Sequence, residues 1–369
     1  MVKRVFIHPG FHKTGTTGIQ TIFTENRMKC KEAGLFYPYA RGEGHHRAAW
    51  ALHERIWGWK DRGGKKTPIS EWNHLVTQTK KAKESALISS EFFSELTLEE
   101  VAEIKSAFSR SEIEIIFTWR PLHKLLASSY QQYLKYGIKA NYEKWLLGIF
   151  KEGEYKNHTP SFWERHRHGE VISKWVEVFG PDNVKVIVAD EKTPNFLYDT
   201  FADILGIDHS IIRADENTKR NRSLTFEETS LLLEVNKRFP KERAWADYEM
   251  YVREGAFSRL ANSQYPSTGG SKLMTPAWAV DLAMAENEKS MAKIRQLRVE
   301  ILGDLELASK EPIPVGENSE ILEIPIEVAA EAILGSSSRS IKRMAGSLLF
   351  KELLLRLKYK GLRIKRKII

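Results

Sequence analysis

Along the first 235 residues, short apolar runs alternate with longer stretches whose apolar positions recur every three or four residues. Residues 3–8 form a compact apolar run ended by Pro9-Gly10, the pattern of a strand buried on both faces. A turn rich in Gly and Thr follows, and residues 16–31 predict a helix that stops near Gly34. Residues 86–89 predict a second strand, closed by the polar pair Ser90-Glu91. Thr97-Leu98-Glu99-Glu100 has the spacing of a capping box, in which threonine and glutamate side chains satisfy two orphan N–H groups of a first turn. It predicts a helix running to about Arg110. Residues 112–119 predict a third strand, leading into a helix from Pro121 to about Tyr136. Residues 162–179 predict a helix broken by Gly180-Pro181, and residues 184–189 a fourth strand. A helix over 196–205 ends at Gly206, and Thr225-Phe226-Glu227-Glu228 caps one more.

Strands alternating with helices imply βαβ units. The expected fold class is α/β: a P-loop-like, mostly parallel sheet flanked by helices, with a helical C-terminal extension. Ligands of such sheets sit beyond the carboxyl ends of the strands. Past residue 240 the strand signals fade; 272–303 reads as partly helical, 309–325 as irregular and 326–360 as helical again. The expected organisation is a nucleotide-binding core over 1–235, a mainly helical stretch over 236–330 that completes the domain or shapes its site, and a basic amphipathic tail over 331–369.

Charge changes this picture only at the end of the chain. The net charge is +9, but residues 351–369 hold eight Lys or Arg against Glu352, so the rest carries only +2. A tail, not the fold, is basic, which argues against a nucleic-acid binder. The tail interleaves Leu and Ile with its cations, so peripheral contact with an anionic membrane surface is one expectation and a packed C-terminal helix with a solvated end another. Cys30 is the single cysteine, which precludes an internal disulfide. With an opening segment that lacks the apolar region of a leader, this sets the expectation of a cytoplasmic protein, peripheral at the inner membrane surface if the tail docks there.

The most informative segment is His8-Pro9-Gly10-Phe11-His12-Lys13-Thr14-Gly15-Thr16-Thr17, between the first strand and the first helix. Gly10 and Gly15 let the backbone approach a ligand closely, and the helix start supplies unpaired N–H groups and a positive dipole end. Lys13 adds a full charge, and Thr14, Thr16 and Thr17 add hydroxyls. Together they make a cradle for an anion the size of phosphate or sulfate. A P-loop NTPase is the rival, but its lysine follows the second glycine, whereas here Thr16 follows Gly15 and the lysine stands inside the loop. A strand ending in a metal-holding acid is also missing; Leu87-Ile88-Ser89-Ser90-Glu91 comes nearest.

A second element lies farther on. The third strand delivers Arg120 to the ligand edge of the sheet, where a guanidinium fork can grip a phosphate on two oxygens. Ser128 follows eight residues later and Tyr130 ten residues later on the next helix.

His12-Lys-Thr-Gly-Thr-Thr-x-x-Gln20 resembles the 5'-phosphosulfate loop of the sulfotransferase superfamily that uses 3'-phosphoadenosine-5'-phosphosulfate (PAPS), especially its bacterial, carbohydrate-type members. Arg120, Ser128 and Tyr130 resemble that family's 3'-phosphate element, with the departure that Pro121 follows the arginine directly. Trp175 to Val186 is similar to the helix–turn–strand that follows it, and residues 217–224, which include Arg222, to a loop closing over the nucleotide. The resemblance spans residues 4–235. It implies PAPS as donor, no metal, and transfer of a sulfuryl group to a hydroxyl or amine of a carbohydrate or glycolipid acceptor. Lys13 would meet the oxygens where charge develops, and Thr14 to Thr17 the 5'-phosphate.

Glu91, at a strand end beside two serines, is the expected general base, with His12 its nearest rival and His8 and His46 behind. His45-His46-Arg47 either lines the acceptor pocket or is an ordinary polar helix start. With no second cysteine, no zinc site is expected. A kinase or NTPase, and a nucleotide-binding protein without turnover, stand as alternatives.

Overall fold

The computed structural model describes residues 2–39, 44–150, 159, 161–190, 192–193, 195–213, 222–263, 270–343 and 353–354, without the side chains of 339–343. Residues 344–352 and 355–369 of the basic tail and most of the 217–224 loop lie outside the described residues. The strands are β1 (Arg4–Gly10), β2 (Leu35–Phe36), β3 (Ile56–Trp57), β4 (Lys65–Lys66), β5 (Ser85–Ser89), β6 (Glu112–Trp119), β7 (Val184–Val188) and β8 (Glu300–Leu302). Among the described residues, six of them form one sheet in the order β2–β5–β1–β6–β7–β8, every neighbouring pair parallel. β3 and β4 pair antiparallel in a separate two-stranded ribbon. The helices that build the site and the cores described below include α1 (Thr16–Glu25), α2 (Leu98–Ala107), α3 (Leu122–Leu134), α4 (His168–Phe179), α5 (Phe196–Leu205), α6 (Phe226–Arg238), α7 (Ala277–Gln296) and α8 (Ile326–Arg343).

Period-2 side-chain direction explains why the strands read as continuous apolar runs, because helices cover both faces of the sheet. Val5, Ile7, Ile88, Ile115 and Phe117 pack with Val101 and Ile104 of α2 and Val171 and Trp175 of α4. Phe6, Leu87, Ile116 and Ile187 pack with Ile19 and Phe23 of α1 and Phe201 of α5. Each such fully buried side chain contributes about 1.5–3 kcal/mol of transfer free energy. A second, all-helical core joins α3, α6, α7 and α8 around Trp145, Trp245 and Tyr248.

Both capping boxes form, Thr97 with Glu100 and Thr225 with Glu228. Pro121 has no side-chain acceptor to cap α3, so Asn287 of α7 does so from outside, its Oδ1 accepting the Leu122 N–H at 2.6 Å. Two expected helices are interrupted. Residues 16–31 split at Asn26, whose amide donates back to the Ile22 carbonyl. Residues 162–179 split at Arg167, just before Gly169 runs against α7; a Cβ there would lie 2.8 Å from the Lys293 side chain. β8 was not legible: three half-exposed residues on a sheet edge carry too little pattern, although they extend the sheet with residues from beyond 235. Among the described residues, no helix is long and apolar enough to cross a membrane.

Candidate active site

β1 is flanked by β5 on one side and β6 on the other, so strand order reverses at β1 and the connections leave a crevice at its carboxyl end. Three segments converge there: the loop after β1, Ser90-Glu91 after β5, and Arg120 after β6. The convergence is close-packed. Gly10 has φ 104°, and a Cβ on it would lie 2.9 Å from both Cα and Cβ of Glu91. The loop next passes through Lys13 at φ 64° and Gly15 at φ 96°. A left-handed lysine costs about 1–2 kcal/mol and persists only where its surroundings hold it. Here Arg120 Nη1 donates to the Lys13 carbonyl at 3.3 Å, and Lys13 Nζ donates to Gln132 Oε1 of α3 at 3.2 Å.

Gly15 is the N-cap of α1 and offers no capping side chain. Among the described residues, the backbone N–H groups from Lys13 to Thr17 find no acceptor, and the Thr16 and Thr17 hydroxyls have no partner. Five successive donors at the start of a ten-residue helix, with a lysine beside them, are an arrangement able to hold an anion. Thr14 has a different task. Its hydroxyl donates to the Phe11 carbonyl at 2.7 Å and lies 2.6 Å from Thr118 Oγ1, buried under the loop.

That contact fixes a polar chain beneath the site. Since the Thr14 proton goes to Phe11, Thr118 must donate to Thr14, and so accepts from His8 Nε2 at 3.3 Å. His8 Nδ1 is then the bare nitrogen and accepts from Ser89 Oγ at 2.8 Å. Burial lowers the pKa of His8 to about 4, against a weaker upward pull from Glu91, so this histidine is neutral. It ties β5, β1 and β6 together and has no proton to exchange with a ligand.

Glu91 Oε2 accepts from Gln20 Nε2 of α1 at 3.0 Å and lies 3.7 Å from His46 Nδ1, which is 2.8 Å from Ser90 Oγ. Burial would raise its pKa, but His46, His12 and the Gln20 hydrogen bond together hold it at about 2. Its side chain keeps 15% exposure, enough to meet a ligand. His12 Nε2 lies 2.9 Å from Glu95 Oε1, and Glu95 also pairs with Arg55 and, at 3.0 Å, with Arg165. A carboxylate so placed accepts a hydrogen bond from Nε2–H, leaving Nδ1 as the basic nitrogen. Burial and the charge of Arg165 push the His12 pKa well below the usual range. Burial likewise lowers that of Lys13, opposed by Glu91.

The candidate residues therefore divide into two groups. Lys13, Thr14, Gly15, Thr16, Thr17, Glu91, His12 and Arg120 meet at one sheet edge. Ser128 stands one turn before Gln132, the partner of Lys13, on the same stripe of α3; its hydroxyl donates to the Leu125 carbonyl at 3.0 Å. Arg222 is committed elsewhere. Its fork grips Glu228 at 2.7 and 2.5 Å and reaches the Leu260 and Ser263 carbonyls, bracing the start of α6. Gln132, Glu95, Arg55 and Arg165 escaped sequence reading, being brought in from separate segments. Gln20 stood inside the loop motif but carried no assigned role.

No family model matches the chain, and no curated protein matches it. Among solved structures, a sulfotransferase from Alicyclobacillus acidocaldarius is similar at 16% identity over 66% of this chain and 98% of that one, with a TM-score of 0.43.

Proposed function

We propose that this protein is a sulfotransferase that takes a sulfuryl group from PAPS and places it on a hydroxyl, or an amine, of a carbohydrate-type acceptor. The observation that carries the reading is the union of two anion-gripping elements at one switch point: free donors from Lys13 to Thr17, and Arg120 hydrogen-bonded to the Lys13 carbonyl. An adenosine with phosphates at both its 3' and 5' positions suits that pair. The 5' end would lie on the loop and α1, and the 3'-phosphate beside Arg120 and Ser128.

PAPS supplies an activated sulfur whose bond to the 5'-phosphate oxygen breaks as the acceptor oxygen attaches. The chain's share is electrostatic. Lys13 and the loop N–H groups face the oxygens on which charge develops, in a crevice where such donors count for more than in water. Glu91, ionised and partly desolvated beside the loop, takes the acceptor proton. His12 is the reserve base through Nδ1. The acceptor would be a carbohydrate or glycolipid, with the basic tail available to an anionic membrane surface.

Thermal melts test the donor. Stabilisation by 3',5'-diphosphoadenosine without Mg²⁺ is the expected result, because a ligand that binds only the folded chain raises its melting point. Stabilisation by Mg²⁺-ATP alone would instead establish a kinase or NTPase, and nucleotide binding without transfer from labelled PAPS to a glycan panel would leave a binding protein.

A further inference from the structure

A wall of aromatic rings leads away from the crevice. Phe92, next to Glu91, meets Trp50 edge-on at 5.0 Å; Trp50 stacks on Trp57 at 4.2 Å, and Trp57 meets Tyr136 at 5.7 Å. Trp59 Nε1 then donates to the Tyr136 carbonyl at 2.8 Å. At the far end is a pocket of about 200 Å³ lined by Trp59, Arg62, Gly137, Lys139, Phe239 and Tyr248. Gly137 lies five residues beyond Gln132, the partner of Lys13, in the turn that follows α3, so the pocket continues from the same helix.

The pocket is rigid. Gly137 has φ 86°, and a Cβ on it would lie 2.7 Å from the Trp59 ring, so backbone and indole are in direct contact. Tyr248, 4.6 Å from Trp59 between ring centroids, is held underneath by Asn236 at 2.7 Å. The Arg62 guanidinium lies 3.8 Å above the Trp59 ring, and donates to the Pro240 and Lys241 carbonyls at 3.3 and 2.5 Å. Neither Arg62 nor Lys139 pairs with a carboxylate among the described residues. Two cations beside half-buried indole and phenyl rings, with no acid to neutralise them, make a site for a flat apolar face bearing a negative group.

We propose that this pocket is an acceptor subsite for an anionic sugar ring. The C–H face of the ring lies on the Phe239 side of the pocket, while Arg62 and Lys139 take its carboxylate or sulfate ester. The proposal rests on the carbohydrate-acceptor reading above, yet its test needs no donor. Calorimetric titration of the full chain, without nucleotide, compares a uronate-containing disaccharide, an O-sulfated one and the carboxyl-reduced neutral analogue. Binding of either charged sugar at least tenfold tighter than of the neutral one is expected, the tighter of the two identifying the anion. The double variant Arg62→Gln/Lys139→Gln should lose that preference while its binding of 3',5'-diphosphoadenosine stays unchanged. Equal affinities, no binding of any of the three, or a preference that survives in the variant would overturn the subsite. Failure of diphosphoadenosine to bind would sink the donor assignment and leave the sugar titration standing.

Discussion

Acidification should unfold this protein from within, through histidines that have no room for a second proton. Burial lowers His8 and His45 to about 4, and His166 to about 3, from an ordinary value of 6.5. The unfolded chain protonates all three as pH falls through 6.5, whereas the folded chain does not until about 4. Their stabilising contribution is therefore complete above pH 6.5 and is lost as pH falls toward 4. Every pH unit separating the folded and unfolded values is worth about 1.4 kcal/mol, so His8 and His45 contribute about 3 kcal/mol each, and the slope with all three engaged approaches about 4 kcal/mol per pH unit. Between pH 6.5 and 4.5 this removes about 8 kcal/mol, a large share of a total stability of about 5–15 kcal/mol. Glu91 acts in a lower window: held at about 2, it favours folding above its ordinary value near 4.5 and loses that only below it. Urea midpoints read by tryptophan fluorescence at pH 7.5, 6.5, 5.5 and 5.0 test this. His8→Asn, which carries no titratable group, should shallow the slope by one proton, about 1.4 kcal/mol per pH unit. Midpoints that stay flat from pH 7.5 to 5 would refute the reasoning.

Lys13→Ala should abolish transfer from PAPS with little change in melting point, since among the described residues its ammonium hydrogen-bonds only to Gln132; residual turnover above a few per cent contradicts the role. Arg120→Ala should weaken 3',5'-diphosphoadenosine by about 2–4 kcal/mol in a calorimetric titration, the loss expected for a charged phosphate contact, and unchanged affinity contradicts the placement. Gly10→Ala forces a left-handed alanine, about 1–2 kcal/mol, and drives its Cβ into Glu91 at 2.9 Å, so turnover should fall more than nucleotide affinity. Glu91→Gln should cut turnover and leave nucleotide binding nearly intact; full activity removes Glu91 as the base.

The sheet and the anion loop were legible because a strand buried on both faces is an unbroken apolar run, and the polar residues that end it must lie at the ligand edge. β1 with its loop, and β6 with Arg120, are such cases. The short strands β2 and β8 were not, since two or three edge residues carry no period. Long-range pairing was also hidden. Glu95 collects Arg55, His12 and Arg165 from positions 40, 83 and 70 residues away, and nothing local marks any of them. Arg222 shows the opposite failure. Basic residues beside a phosphate-binding core suggest a ligand contact, yet the capping glutamate of α6, Glu228, lies six residues on with both oxygens within reach of the fork. The aromatic wall is a third kind, assembled from Trp50, Trp57, Trp59 and Tyr136 on separate elements.

Two neighbouring glutamates divide the charge of the site between rigidity and chemistry. Glu95, whose side chain is 1% exposed, is gripped by two arginines, so it holds a fixed charge and fixes the ring of His12. A histidine oriented in this way is well aimed, but its lowered pKa makes it a feeble base at neutral pH. Glu91 touches no arginine among the described residues; a glutamine and a histidine are its partners. Its low value thus depends on nearby positive potential and not on a fixed ion pair. A donor carrying several negative charges, bound on the loop beside it as proposed, would raise the Glu91 pKa from about 2 and so make it a stronger base. The same anion that supplies the sulfuryl group would then strengthen the base, and only while bound.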